Sequence, residues 1–254
     1  SGLSAEEGGA IYNLYGVNIL SIGSLIDSLL SIRKLIFDDK DITFEQMTTQ
    51  LAENFPDKKL LLRCRNLPDK FGSDSPETNK LAAEISSFIA KVILNNPMSC
   101  GTRPYPGFFW FGQDIHRHVA AGPDGRIAGE RVSYGCGPGE MLDSAGVTSI
   151  LNSAACIAHS LCACGNPLTI SLNRSDVTGD SGKARIRQLV ESYFQRGGFH
   201  LHFNIVDAEQ LEDAKLNPEK YADLVVRVSG YSATFINIAE SWQDAVIERT
   251  KLGV

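Results

Sequence analysis

The stretch Leu224-Val225-Val226-Arg227-Val228-Ser229-Gly230-Tyr231-Ser232-Ala233-Thr234-Phe235 decides how the chain is read, because an apolar run of strand character ends there in a glycine between a serine and a tyrosine. Taken alone, Ser-Gly-Tyr is most simply a turn, since glycine reaches backbone conformations closed to other residues. Just upstream, Phe199 to Val206 alternates as a strand and Ala208 to Leu216 reads as a helix ended before Pro218. Leu224 to Val228 is then a second strand. A strand, helix, strand order predicts a parallel pair with a right-handed crossover, hence an α/β architecture. On the first strand His200, His202 and Asn204 are spaced by two and share one face. Each is either a ligand-facing polar group or a hydrogen-bonded core side chain. Arg227 either pairs with a carboxylate inside the fold or is solvated at the strand end.

Working outward, Ser181 to Arg196 is an amphipathic helix stopped by Gly197-Gly198, and Val147 to Leu161 also has helical texture. Between Asn95 and Gly146, Pro97, Pro104, Pro106, Pro123, Pro138 and many glycines predict a loop-rich segment. The block Phe108-Phe109-Trp110-Phe111 needs burial, which keeps that segment inside a domain rather than making it a linker. The first third reads as helical. From Val17 to Phe37 apolar residues recur at three- and four-residue steps, Thr43 with Gln46 forms a capping-box pattern, and Pro76-Glu77 opens a helix to about Leu94. Trp242 to Thr250 is a closing helix.

The formal charge of −6 comes without a Lys/Arg cluster, which argues against nucleic acid or an anionic membrane and leaves a small neutral or anionic substrate. With 43% hydrophobic and 21% charged residues the chain has globular composition. No apolar run reaches the roughly 20 residues that cross a bilayer, so a soluble, intracellular protein is expected. Six cysteines in 254 residues are too sparse for a disulfide scaffold and suit a reducing compartment. The opening Ser-Gly-Leu-Ser, without Met, predicts a truncated start, a tag remnant being the alternative for its first two residues. Cys156-x-x-His159-x-x-Cys162-x-Cys164 offers metal-binding side chains at irregular spacing, so packing is expected there and metal is not. His116 and His118, near Asp114, bind a metal or act as bases if the segment is extended, and are ordinary loop histidines otherwise.

With its surroundings, Arg227-Val228-Ser229-Gly230-Tyr231-Ser232-Ala233 resembles the fingerprint of the glycyl radical enzyme family, which includes pyruvate formate-lyase. The resemblance extends over essentially the whole chain. Gly8-Gly9-Ala10-Ile11-Tyr12-Asn13 and Asp27-Ser28-Leu29-Leu30-Ser31-Ile32-Arg33-Lys34 are similar to a family segment. So is Pro123-Asp124-Gly125-Arg126-Ile127-Ala128-Gly129-Glu130, and Leu151-Asn152-Ser153 continues the match. Gly197-Gly198-Phe199-His200-Leu201-His202-Phe203-Asn204 resembles the strand before the radical loop.

This resemblance implies that Gly230 carries a radical, because a glycine Cα radical flattens and delocalises into both flanking amides, which a side chain would oppose. A glycyl radical is then the only cofactor-like group expected. S-adenosylmethionine and an iron-sulfur cluster belong to a separate radical S-adenosylmethionine activase. Arg227, Val228, Ser229, Tyr231, Ser232 and Ala233 form the radical loop, Tyr231 and Ser232 excluding water and oxygen, and His200, His202 and Asn204 are substrate-facing candidates. The resemblance implies the second half of a ten-stranded α/β barrel with surrounding helices. Residues 1–120 are then a helical half-barrel segment and 121–254 a glycine radical domain. The family's thiyl cysteine lies upstream of any matched segment, and Cys136 is a poor substitute in a stretch where the family has none. Expected partners are therefore the activase, a missing amino-terminal half or split partner chain, and a second copy in a homodimer when complete. The place is the cytoplasm or a bacterial microcompartment. The texture of the tail is closer to lyases, dehydratases and decarboxylases than to pyruvate formate-lyase, and a non-catalytic accessory subunit and an inactive relic are the rival readings.

Overall fold

The structure, a computed structural model, describes residues 2–4, 7–97, 102–109, 114–139, 145–228 and 230–252. Its first part contains strand β1 (Leu14–Asn18), helix α1 (Ile22–Ile32) running into a π-helical turn at Arg33–Asp38, and helices α2 (Phe44–Ala52), α3 (Lys58–Arg65) and α4 (Pro76–Leu94). Strand β2 (Arg103–Gly107), helix α5 (Val147–Ala155), strand β3 (Pro167–Leu172), helix α6 (Gly179–Gln195) and strand β4 (His200–Ile205) follow. The chain ends with α7 (Ala208–Leu216), β5 (Val225–Arg227), β6 (Ser232–Thr234) and α8 (Glu240–Leu252). Among the described residues no helix is long and apolar enough to cross a membrane.

Local chemistry sets several of these ends. The Thr43 side chain accepts from the Gln46 amide while the Gln46 side chain accepts from the Thr43 amide, a reciprocal cap that starts α2. Asp57 caps α3 by accepting from the Lys59 and Leu60 amides. Pro76 takes the first position of α4, where its missing N–H has no intrahelical partner to lose.

Four expectations are corrected. Val17 and Asn18 belong to β1 rather than to a helix, because β1 pairs in parallel with β2, Leu14 opposite Arg103 through Asn18 opposite Gly107. The segment expected to be loop therefore contains a strand, in which Pro104 and Pro106 alternate. Phe108 is fully buried, whereas Trp110 and Phe111 lie outside the described residues. The parallel partner of β4 is β3, joined through α6, and not the strand after α7. β5 instead pairs with β6 in an antiparallel hairpin. The helix expected from Val147 to Leu161 ends at Ala155, with a separate 3-10 turn at His159–Leu161.

The β3–β4 pair divides its faces cleanly. Leu168, Ile170 and Leu172 enter the main core, and Leu201 and Phe203 pack against it beside Ile22, Ile26, Phe71, Phe108 and Tyr193. The opposite face carries Thr169 next to His202 and Ser171 next to Asn204. A second core of Val206, Leu211, Val226, Val228, Phe235, Val246 and Ile247 holds the last third, and a third of Leu35, Met47, Phe55 and Leu60 sits among the early helices. The turn around Gly125 is scaffold: the Gly125 carbonyl accepts from Arg65 Nε at 2.7 Å and the Asp124 carbonyl from Lys70 Nζ at 2.7 Å. Arg65 also forks onto both carboxylate oxygens of Glu130.

Ile170 is fully buried in the middle of β3. Truncating it in an Ile170→Ala variant is expected to lower unfolding free energy by about 2–5 kcal/mol, which urea titration measures.

Candidate functional site

Strands β5 and β6 face each other in the register Val225–Thr234, Val226–Ala233 and Arg227–Ser232, and the Val228 amide donates to the Tyr231 carbonyl at 2.9 Å. Gly230 therefore lies at the tip of a tight hairpin, with φ of +78° and an exposed surface. That φ is in the left-handed region that side chains oppose. Ser229 lies outside the described residues. Apart from its chain neighbours, no atom of the described residues lies within 4 Å of where a Cβ on Gly230 would stand. Tyr231 is 49% exposed and Ser232 is exposed.

The root of the hairpin, by contrast, is held firmly. Val226 and Val228 plug into the second core, and Leu224 accepts from the Phe235 amide at 2.7 Å. From α8, both terminal nitrogens of Arg249 reach the Val228 carbonyl at 3.4 Å, while the guanidinium lies 5.2 Å from the Tyr134 ring centroid. From β4, the Asn204 side chain takes both backbone groups of Arg227. Its Oδ1 accepts from the Arg227 amide at 2.7 Å, and its Nδ2 donates to the Arg227 carbonyl at 3.1 Å.

The Arg227 side chain completes the cluster. One terminal nitrogen lies 3.2 Å from His202 Nε2, the other donates to Ser232 Oγ at 3.4 Å, and buried Nε has no hydrogen-bond partner among the described residues. Because guanidinium has only donors, His202 must accept through Nε2 and keep its proton on Nδ1. Burial, then the charges of His200 and Arg227, push the His202 pKa down to about 4, in line with a neutral ring. Burial and Arg227 also lower that of His200, whose ring meets His202 edge-on at 4.2 Å between centroids. His202, Asn204, Arg227 and Ser232 line an open groove of about 500 Å³ between β4 and the hairpin.

The structure thus gathers His200, His202, Asn204, Arg227 and Ser232 at the foot of the hairpin, with Ala233 paired to Val226 and Gly230 at its tip. His116 and His118 instead sit in a single 3-10 turn, Asp114–His118. Around the cysteines, His159 is enclosed by the Ala154 carbonyl at 2.8 Å and Asn166 at 3.0 Å, and the Cys156 thiol faces the Asn152 carbonyl. Among the described residues no group of three or more His, Cys, Asp or Glu is placed to hold a metal ion. Cys136 is fully buried, its thiol pushed up to about 12 by desolvation, which keeps it in the unreactive form. Arg249 was missed in the sequence reading. Its position in a polar closing helix carries no sign of the carbonyl it reaches, although its spacing from Ala245 and Val246 on the buried side was available.

Residues 1–116 match the family model described as Pyruvate formate lyase-like, and residues 132–236 the one described as Glycine radical. The chain is 31% identical to trans-4-hydroxy-L-proline dehydratase of Clostridioides difficile, over 98% of this chain and 32% of that protein. It is 30% identical to the 4-hydroxyphenylacetate decarboxylase glycyl radical subunit of Clostridium scatologenes, over 96% of this chain and 30% of that one. A solved structure concerned with 1,2-propanediol dehydration in Roseburia inulinivorans superposes with a TM-score of 0.91 at 33% identity, covering 98% of this chain and 33% of that one. The chain spans about one third of the length of these relatives.

Since His202 takes a proton near pH 6.5 when unfolded and only near 4 when folded, its contribution to stability is complete above 6.5 and declines as pH falls toward 4. A His202→Gln variant should lack that part of the acid loss, at most about 1.4 kcal/mol per pH unit, when urea midpoints are compared across this window.

Proposed function

The chain belongs to the glycyl radical enzyme family, and on that premise we propose that it stores an organic radical on Gly230 for a lyase, dehydratase or decarboxylase reaction. The observation that carries this reading is the hairpin tip, where Gly230 lies within the span matched by the Glycine radical model, exposed and with open space on its Cβ side. A separate radical S-adenosylmethionine activase, which holds the iron-sulfur cluster, removes one hydrogen atom from Gly230 Cα. The resulting radical takes a hydrogen atom from a cysteine thiol outside this chain, restoring Gly230 Cα–H and leaving a thiyl that abstracts hydrogen from substrate. This chain's own part is to hold the loop. Asn204 and Arg249 fix its root, and Val226 and Val228 anchor it in the second core.

The working protein in this reading is a ten-stranded barrel in which residues 121–254 form the glycine radical domain and residues 1–120 part of the wall. The cysteine loop and the cover over Gly230 come from an amino-terminal half or a partner chain. His200 and His202 face the enclosed space, the assembly is a homodimer, and it works in the cytoplasm or a bacterial microcompartment. Similarity to a dehydratase and a decarboxylase supports this branch over a pyruvate formate-lyase. The second reading is a non-catalytic subunit that lends its glycyl radical to a partner holding the cysteine.

Anaerobic treatment with a family activase should give a glycyl electron paramagnetic resonance signal, and air should then cut the chain beside Gly230, visible by intact mass. Gly230→Ala and Gly230→Asn should both lose signal and cleavage. Asparagine tolerates the left-handed conformation, so the second variant keeps the turn while losing the chemistry. A signal that persists in either variant would refute the assignment to Gly230.

A further inference from the structure

We infer that Asn204 is the positioning residue of the glycine loop: its carboxamide stands in for a backbone ladder between β4 and β5 and so sets where Gly230 is held. The functional meaning of this inference rests on the radical reading of Gly230, but its geometry does not. Among the described residues β4 has a ladder only with β3, and β5 only with β6. Two such strands lying side by side would ordinarily exchange N–H and C=O groups. Here the exchange is made by a side chain: one acceptor at 2.7 Å and one donor at 3.1 Å satisfy both peptide groups of the same residue, Arg227. A primary amide is the side-chain group that offers donor and acceptor side by side as a peptide does.

Three further observations give this contact its weight. Asn204 is 3% exposed, and a broken contact leaves two part-buried peptide groups of Arg227 without this partner. Its backbone is fixed by the ladder that places it opposite Ser171, and the strand around it rests on the main core. Arg227 is three residues before Gly230, roughly 10 Å along an extended chain, so an error at Arg227 passes to the tip with little chain to absorb it. The other tie to the loop root, from Arg249 to the Val228 carbonyl, is longer at 3.4 Å and acts on the carbonyl alone. With Oδ1 and Nδ2 both engaged by Arg227, Asn204 is, of the two roles the sequence leaves open for it, the hydrogen-bonded support rather than the substrate contact.

Size and hydrogen-bonding type are both demanded. Glutamine is longer by one methylene and glutamate shares that fault. Aspartate has the right length and accepts from the Arg227 amide, but when ionised it presents a second oxygen to the Arg227 carbonyl. Only its protonated form donates there.

Hydrogen exchange on the unactivated chain tests the inference without requiring a radical. In Asn204→Ala, exchange at Arg227 and Val228 should rise about tenfold or more, as loss of a buried hydrogen bond implies, while His202 and Phe203 in the β3–β4 ladder stay protected. In Asn204→Asp, protection at Arg227, corrected for intrinsic exchange and for the change in the parent, should recover as pH falls and the introduced carboxyl gains its proton. Exchange at Arg227 within twofold of the parent in the alanine variant would overturn the inference. So would equal loss of protection in both sheets in the alanine and aspartate variants, or an aspartate variant with no acid recovery. If the parent gives no radical signal with an activase, the Gly230 reading fails while the exchange result still decides the role of Asn204.

Discussion

The contact between the Asn204 carboxamide and the Arg227 backbone is the constraint on which the geometry of the site depends. On one side stands the β3–β4 pair, whose apolar face is part of the main core. On the other stands a three-residue hairpin seated on a separate core formed with α7 and α8. Among the described residues neither ladder extends across the gap, so without Asn204 the hairpin would be located by side-chain packing, by the contact of the Arg227 side chain with His202, and by the longer bonds from Arg249 to the Val228 carbonyl. Packing is good at excluding alternatives that differ in volume and poor at fixing the rotation of a short strand. Two hydrogen bonds to a single residue remove that freedom, which is what a loop that must present one atom requires.

The same polar face explains the state of the nearby charges. Arg227 and Arg249 bring two guanidinium groups to the root of the loop, both directed at neutral acceptors: an imidazole, a hydroxyl and a carbonyl. Burial foremost, then the charges of His200 and of Arg227 at 3.2 Å, keep the His202 ring neutral. His202 is thus held as an acceptor for Arg227. The groove it lines is polar through dipoles and guanidinium, and no carboxylate lines it among the described residues.

Elements defined by local chemistry were legible in the sequence. The bounds Pro76–Leu94 and Ala208–Leu216 emerge as read, because a proline at the start or just beyond the end, together with apolar spacing, leaves little choice. The α2 cap is likewise local, three residues apart. What depended on distant partners was not legible. β1 was absorbed into a helix because Val17, Ile19 and Leu20 continue the three- and four-residue steps of α1, and only β2, over 80 residues away, makes it a strand. β2 was hidden by its own prolines. β3 carries its own signal, since Leu168, Ile170 and Leu172 alternate with Thr169 and Ser171. In the site, the shared face of His200, His202 and Asn204 follows from spacing. That Asn204 ends on backbone, and that Arg249 comes to the same loop from the closing helix, required the fold.

A comparison of glycines shows what kind of demand acts on Gly230. Gly125 and Gly135 also have positive φ, but a Cβ on Gly125 would stand 2.6 Å from the Arg65 amide nitrogen, and one on Gly135 would strike the Pro167 carbonyl oxygen. Those two positions are closed to side chains by close backbone approach as well as by conformation. At Gly230 only the conformation acts, and the space for a side chain is open. A turn of this kind accepts asparagine at modest cost, so sterics within the chain leave a choice that radical chemistry does not. A Cα radical gains its stability by lying in one plane with both amides, and any side chain crowds that plane. On the proposed radical reading of Gly230, the requirement for glycine at the tip comes from the Cα–H bond, while Asn204 and Arg249 supply the fixed root from which that bond is presented.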